Sequence, residues 1–172
     1  MRTLVLGGIR SGKSRWAEAA LAGESRVRYV ATGPDPGADA AWAARVAAHR
    51  GRRPSGWITV ETGDVAAQLR GDPETPALVD DLGGWITAAL DRGGWREGSV
   101  GAGIDDLASA VAEFTGPLVL VSPEVGLSVV PATAAGRRFA DELGILNQRI
   151  ADCCERVVLV VAGQPVRIKP VT

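Results

Sequence analysis

The first apolar run, Leu4 to Leu6, continues unbroken into a glycine pair, Gly7 and Gly8. A short run of this kind ending in glycine predicts a buried strand that gives way to a loop. Residues 13 to 22 hold good helix formers and stop at Gly23, which predicts a helix. Val27 to Ala31 is rich in β-formers and predicts a second strand, and Thr32-Gly33-Pro34-Asp35-Pro36-Gly37 predicts a turn. Residues 38 to 50 are alanine-rich and predict a helix, closed by Gly51 beside a basic run of Arg50, Arg52 and Arg53. Trp57 to Glu61 predicts a short strand, and Ala77 to Val79 a buried strand that ends in Asp80 and Asp81. Residues 91 to 103 are glycine-rich with few apolar anchors and predict a surface loop. Beyond it the pattern predicts a helix over Ile104 to Phe114 and a strand over Pro117 to Ser122. The longest helical pattern covers 135 to 155, where Phe139, Leu143, Leu146 and Ile150 share one face. Val157 to Ala162 predicts another strand, and Val166 to Lys169 a last one.

Strands that alternate with helices predict an α/β fold, a mostly parallel sheet with helices on both faces. No repeat, low-complexity tract or linker interrupts the pattern, so a single domain is expected over residues 1–172. That length buries a full core without staples. Apolar residues at 46% and charged residues at 23% argue against global disorder. A net charge of −1 supplies no bulk attraction for nucleic acid or an anionic membrane, so neither is expected as a partner. The sequence has no apolar stretch long enough to span a membrane and no signal peptide pattern, which makes the cytoplasm the expected location. Cys153 and Cys154 are neighbours, a poor arrangement for a structural disulfide, and are read as reduced thiols near a helix end. One histidine in the chain argues against a zinc site.

The chemistry concentrates in Gly7-Gly8-Ile9-Arg10-Ser11-Gly12-Lys13-Ser14. Gly7, Gly12, Lys13 and Ser14 meet the G-x-x-x-x-G-K-[ST] pattern of a phosphate-binding loop. The glycines let the backbone wrap so that successive N–H groups face phosphate oxygens, and the following helix adds its positive end. Lys13 reaches the β- and γ-phosphates in such a loop, and the Ser14 hydroxyl binds Mg²⁺. The strand before and the helix after are the context this motif requires, so a P-loop NTPase-like, RecA-like fold is expected. Such enzymes hold the magnesium shell with an acid at the end of a later buried strand. Asp80 fits that place, and repulsion between neighbouring carboxylates predicts that Asp81 faces solvent. Glu124, just after the strand ending at Ser122, falls at the edge where α/β ligands bind. It reads either as an acceptor or magnesium ligand or as a loop carboxylate.

His49 is the only histidine, with Arg45 before it and Arg50, Arg52 and Arg53 after it. Two readings stand side by side. In one, Trp42, Val46 and His49 share a helical face, and the imidazole packs on the indole. In the other, the arginines keep the imidazole neutral and gather triphosphate oxygens, and His49 attacks an α-phosphorus and expels pyrophosphate.

Several segments in order resemble the bifunctional adenosylcobinamide kinase/adenosylcobinamide-phosphate guanylyltransferases. They are residues 7 to 15, Arg45-Val46-Ala47-Ala48-His49-Arg50, Arg53-Pro54, Trp57 and Glu61. Glu124-Val125-Gly126, Val130-Pro131, Arg138-Phe139, Asn147-Gln148 and the Val-Val-Leu-Val-Val-Ala-Gly run continue the likeness over nearly the whole chain. The resemblance implies phosphorylation of the adenosylcobinamide aminopropanol hydroxyl by ATP or GTP. It also implies GMP transfer from GTP, through a guanylyl-histidine at His49, to adenosylcobinamide phosphate. Thr32, Gly33, Pro34, Arg50, Gly51, Arg52, Arg53, Glu61 and Asp80 fall where the family contacts guanine nucleotide, and a homo-oligomer, a trimer, is implied. The chain departs from the pattern at Gly83 and Ala88, where Thr and Asn are common, and at Pro123, where Asn is common. Polar side chains near the acceptor are thereby lost, so a guanylyltransferase without its kinase half is one alternative. A plain small-molecule kinase with a structural His49 is the other.

Overall fold

The computed structural model describes residues 1–33, 47, 51, 53–95 and 98–169. Seven strands form one sheet: β1 (Arg2–Gly7), β2 (Val27–Ala31), β3 (Trp57–Glu61), β4 (Ala77–Asp80), β5 (Leu118–Pro123), β6 (Arg156–Val161) and β7 (Gln164–Lys169). Their spatial order is β3-β2-β4-β5-β1-β6-β7. Every pairing is parallel except that of β6 with β7. The described helices are α1 (Lys13–Ala20), α2 (Val65–Gly71), α3 (Leu82–Gly93), α4 (Gly101–Glu113) and α5 (Ala134–Cys153).

Strand alternation sorts the core into two layers. Leu4, Val30, Val79 and Leu120 point to the face that α2, α3, α4 and α5 cover with Leu69, Ile86, Leu107 and Leu146. Val5, Tyr29, Leu78 and Val121 point to the other face and meet Ala17 and Leu21, in and just after α1. The central strands are therefore apolar on both sides, which is why they read as continuous runs rather than alternating ones. Trp57 and Trp85 are both core residues, one in each layer.

Side-chain caps fix where α2, α3 and α5 begin. Asp64 accepts from Ala67 N at 3.0 Å, Asp81 from Gly84 N at 2.8 Å, and Thr133 from Gly136 N at 3.0 Å. The longest helix begins one residue before its expected start and ends at Cys153, with Leu143, Leu146 and Ile150 buried as their spacing requires. Cys153 and Cys154 are free thiols, and Cys154 is buried at the helix end.

Two differences from the sequence reading follow from local chemistry. Residues 91 to 103 are not one loop: α3 continues to Gly93 and α4 starts at Gly101. Arg138 donates to the carbonyls of Gly94 and Gly98 between them, so the connection is tied to α5. The other helices absent from the sequence reading are α2 and the body of α3. Of the helix expected over 38 to 50, only Ala47 lies within the described residues, where it is helical.

Candidate nucleotide-binding site

The loop from Gly7 to Ser14 leaves β1 at the carboxyl edge of the sheet and enters α1 at Lys13. Its tight course uses positive φ at Arg10 (57°) and at Gly12 (95°). The Ser11 N–H closes a turn on Gly8 O at 3.2 Å. Space dictates the glycines differently. A Cβ on Gly12 would stand 3.2 Å from Gly163 Cα, whereas one on Gly8 would meet nothing within 4 Å. The tight turn between β6 and β7, at Ala162 and Gly163, braces the loop from behind, and Gly163 N donates to Ser11 O at 2.8 Å. Ile9 is exposed, so it supplies backbone rather than packing. Lys13 Nζ curls back over the loop and donates to Gly8 O at 3.3 Å, across the hollow that the glycine leaves open.

Register brings the acids to the same edge. Ala31 stands between Glu61 on β3 and Asp80 on β4, and Asp80 pairs with Val121 on β5. The Ser14 hydroxyl donates to Asp80 Oδ1 at 3.3 Å, so the serine of the loop and the acid of β4 meet across β5. Two hard oxygen ligands placed together in this way suit Mg²⁺. Asp80 Oδ2 accepts from the Tyr29 hydroxyl at 2.5 Å. Burial and the neighbouring Asp80 charge push the Tyr29 phenol up, so it stays a neutral donor. The guanidinium of Arg53 lies 3.3 Å from the centre of the Tyr29 ring, and its Nη1 donates to Thr59 Oγ1 at 2.8 Å.

Asp81 is half-buried rather than turned out to solvent. Its carboxylate turns back to cap α3, and burial, with Asp80 adding to the effect, raises its pKa above the ordinary carboxylate value. The two carboxylates take different partners, Ser14 and Tyr29 for Asp80 and the Gly84 N–H for Asp81, while the Asp80 charge still acts on Asp81. Thr32 is buried, with its N–H on Asp80 O at 3.4 Å and its hydroxyl donating to Asp81 O. Gly84 lets Thr32 and Gly33 pack against the start of α3, since a Cβ there would lie 3.0 Å from Thr32 Oγ1. Gly33, Gly51 and Glu61 are exposed. His49, Pro34, Arg50 and Arg52 lie outside the described residues.

Glu124 donates its N–H to Gly7 O at 3.1 Å, while its carboxylate accepts from Gly126 N at 2.7 Å. It is thus fixed beside the phosphate loop but turned onto its own loop. Gly83 and Pro123 pack together, since a Cβ on Gly83 would stand 2.7 Å from Pro123 Cγ. Two residues with positions in the site carried no such role in the sequence reading. Tyr29 is one; its signal is that the chain's single tyrosine lies in the strand run Val27 to Ala31. The other is Asn147, buried on α5, which accepts from Ser122 Oγ at 2.5 Å and donates to Pro123 O at 3.1 Å. It holds the end of β5 in place beside the loop.

A strand, a phosphate loop and a helix, with an acid two strands away across β5, define a P-loop nucleotide-binding fold of RecA-like arrangement. The family described as cobinamide kinase / cobinamide phosphate guanyltransferase matches residues 3–168. The chain is 44% identical over 176 residues to the bifunctional adenosylcobalamin biosynthesis protein CobP of Pseudomonas aeruginosa, covering 98% of each. It is 37% identical over 183 residues to the bifunctional adenosylcobalamin biosynthesis protein CobU of Escherichia coli, covering 98% of this chain and 100% of that one. Among solved structures it is similar to the VirB11 ATPase of Brucella suis, at 13% identity and a TM-score of 0.46, over 98% of this chain and 48% of that one. The chain belongs to the cobinamide kinase / cobinamide phosphate guanyltransferase family.

Proposed function

We propose that this chain carries out both reactions of its family at one nucleotide site. In the first, the aminopropanol hydroxyl of adenosylcobinamide attacks the γ-phosphorus of ATP or GTP, and the nucleoside diphosphate leaves. In the second, His49 attacks the α-phosphorus of GTP and expels pyrophosphate. The phosphate of adenosylcobinamide phosphate then displaces the imidazole, giving adenosylcobinamide-GDP and free His49. The backbone N–H groups of residues 7 to 14 cradle the phosphates, and Lys13 follows the β- and γ-oxygens. Ser14 and Asp80 hold Mg²⁺, which neutralises charge on the phosphate oxygens when bound. Thr32, Gly33, Pro34, Glu61 and the basic stretch Arg50, Gly51, Arg52 and Arg53 complete the nucleotide contacts. Family resemblance extends the reading to a cytoplasmic homo-oligomer, a trimer.

The observation that carries this reading is the meeting of Ser14 and Asp80 at 3.3 Å beside the phosphate loop, in a chain of this family. A second reading, guanylyl transfer without the kinase step, draws on the packing of Gly83 against Pro123. That contact fills the edge between β4 and β5 with apolar groups beside Gly7, the register partner of Pro123. Incubation with α-³²P-GTP and Mg²⁺, followed by denaturing electrophoresis, tests the histidine. An acid-labile, base-stable label on wild type and none on His49→Ala is expected. Equal labelling of both proteins, or none on folded wild type, overturns the guanylyl-histidine.

A further inference from the structure

Tyr29 touches both halves of the site, and nothing in the P-loop pattern asks for it. It sits on β2, 2% exposed, on the face that α1 covers. Its hydroxyl reaches Asp80 Oδ2 on one neighbouring strand at 2.5 Å. Its ring lies under the Arg53 guanidinium at 3.3 Å. Arg53 is tied in turn to Thr59, the register partner of Tyr29 on the other neighbouring strand. Phenylalanine would fill the same volume and support the same stacked arginine. The hydroxyl is therefore explained by Asp80 and not by packing.

We infer that Tyr29 is a positioning residue that couples the magnesium-holding acid to the arginine segment. The inference rests on the assignment of Ser14 and Asp80 to magnesium and of Arg53 to nucleotide. A carboxylate on a short side chain turns about its own axis unless one oxygen is fixed. The phenol holds Oδ2 and thereby presents Oδ1 towards Ser14, the orientation a metal at the loop needs. The ring face gives the Arg53 cation a low-entropy platform and fixes its distance from the same carboxylate. One side chain thus sets two groups on different strands, β4 and the approach to β3, in a single register.

The test follows binding rather than turnover. A fluorescent N-methylanthraniloyl GTP analogue is titrated into the full chain at a series of Mg²⁺ concentrations and in EDTA. Wild type, Tyr29→Phe and Tyr29→Leu are compared, with thermal unfolding as the check on folding. In Tyr29→Phe the Mg²⁺ needed for half-maximal tightening rises on the order of tenfold, as for loss of a partner that orients a metal ligand. Affinity in EDTA stays within roughly twofold, because the ring still carries Arg53. In Tyr29→Leu the EDTA affinity also falls, by roughly fivefold. Introducing Tyr29→Phe into Asp80→Asn adds nothing further to the Mg²⁺ requirement. A wild-type Mg²⁺ response in folded Tyr29→Phe overturns the inference and leaves the magnesium assignment standing. No Mg²⁺ response in wild type itself overturns the assignment, and the inference with it.

Discussion

The phosphate loop and the Arg53 arm arrive at the same sheet edge by different means. Eight consecutive residues make the loop, and its working parts are backbone: positive φ at Arg10 and Gly12, a turn on Gly8, and a brace from Gly163. The arm is made of side chains from separate stretches, Arg53, Thr59, Tyr29 and Asp80, each useful only when β2, β3 and β4 are in register. A backbone cradle is intolerant of a Cβ where another backbone packs against it, as Gly163 does against Gly12. A side-chain relay is intolerant of lost hydrogen bonds, and its backbone sits in ordinary strand conformation. The two regions should therefore fail in different ways.

Lys13→Ala should show the largest effect. Phosphoryl transfer to adenosylcobinamide falls by roughly 10²-fold or more, the usual loss for a removed charge-stabilising donor. Transfer rates from γ-³²P-ATP measure it, and retention of near wild-type rates contradicts the placing of Lys13 on the phosphates. Gly12→Ala comes next, since it combines a φ of 95° with a Cβ 3.2 Å from Gly163. It should cost about 1–3 kcal/mol of stability. Gly8→Ala, facing open space, should stay within about 0.5 kcal/mol by denaturant unfolding. Equal losses at both positions would mean that the two glycines do not differ as described.

Gly83→Ala should destabilise by about 1–3 kcal/mol, because the added methyl enters the Pro123 ring. Pro123→Ala in the same chain should restore most of the loss, and a double-mutant cycle reads the coupling. Additive effects would show that the contact does not matter. The smallest effect lies away from the site, at the ion pair of Arg2 with Glu155. The Arg2 guanidinium depresses the Glu155 carboxyl from 4.5 to about 2. A depressed acid stabilises the fold above its unfolded value and loses that contribution as the pH falls through its folded value. The Tm advantage of wild type over Glu155→Gln should thus shrink between pH 4.5 and about 2. An advantage that is constant over that window would show that the pair is not the cause. Because the pair is partly exposed, added salt should weaken the advantage as well.

The same contrast explains what could be read from the sequence. The loop was legible because glycine spacing, strand and helix are contiguous: β1 ends at Gly7 and α1 opens at Lys13. Asp80 was legible because an apolar run ends on it. Tyr29 was not, because its partners lie on β4 and before β3, and residue spacing along one strand carries no cross-strand register. Helix α3 was hidden by Gly83 and Gly84, which weaken helical propensity in its first turn, while its cap, Asp81, read as the second of two acids ending a strand. The glycines from 93 to 103 blurred the end of α3 and the start of α4 in the same way. They permit turns without showing which of them lie inside a helix. Gly163 closes an apolar run, and its approach to Gly12 joins residues from opposite ends of the chain, which no local pattern carries.

The central claim is one nucleotide site serving two separable chemistries. The most direct test measures γ-³²P transfer to adenosylcobinamide and α-³²P labelling of the protein side by side in wild type, His49→Ala and Lys13→Ala. His49→Ala should lose the protein label and keep phosphoryl transfer within a few-fold of wild type, while Lys13→Ala loses the transfer. Loss of phosphoryl transfer in folded His49→Ala, or its absence from wild type that labels normally, would contradict the claim.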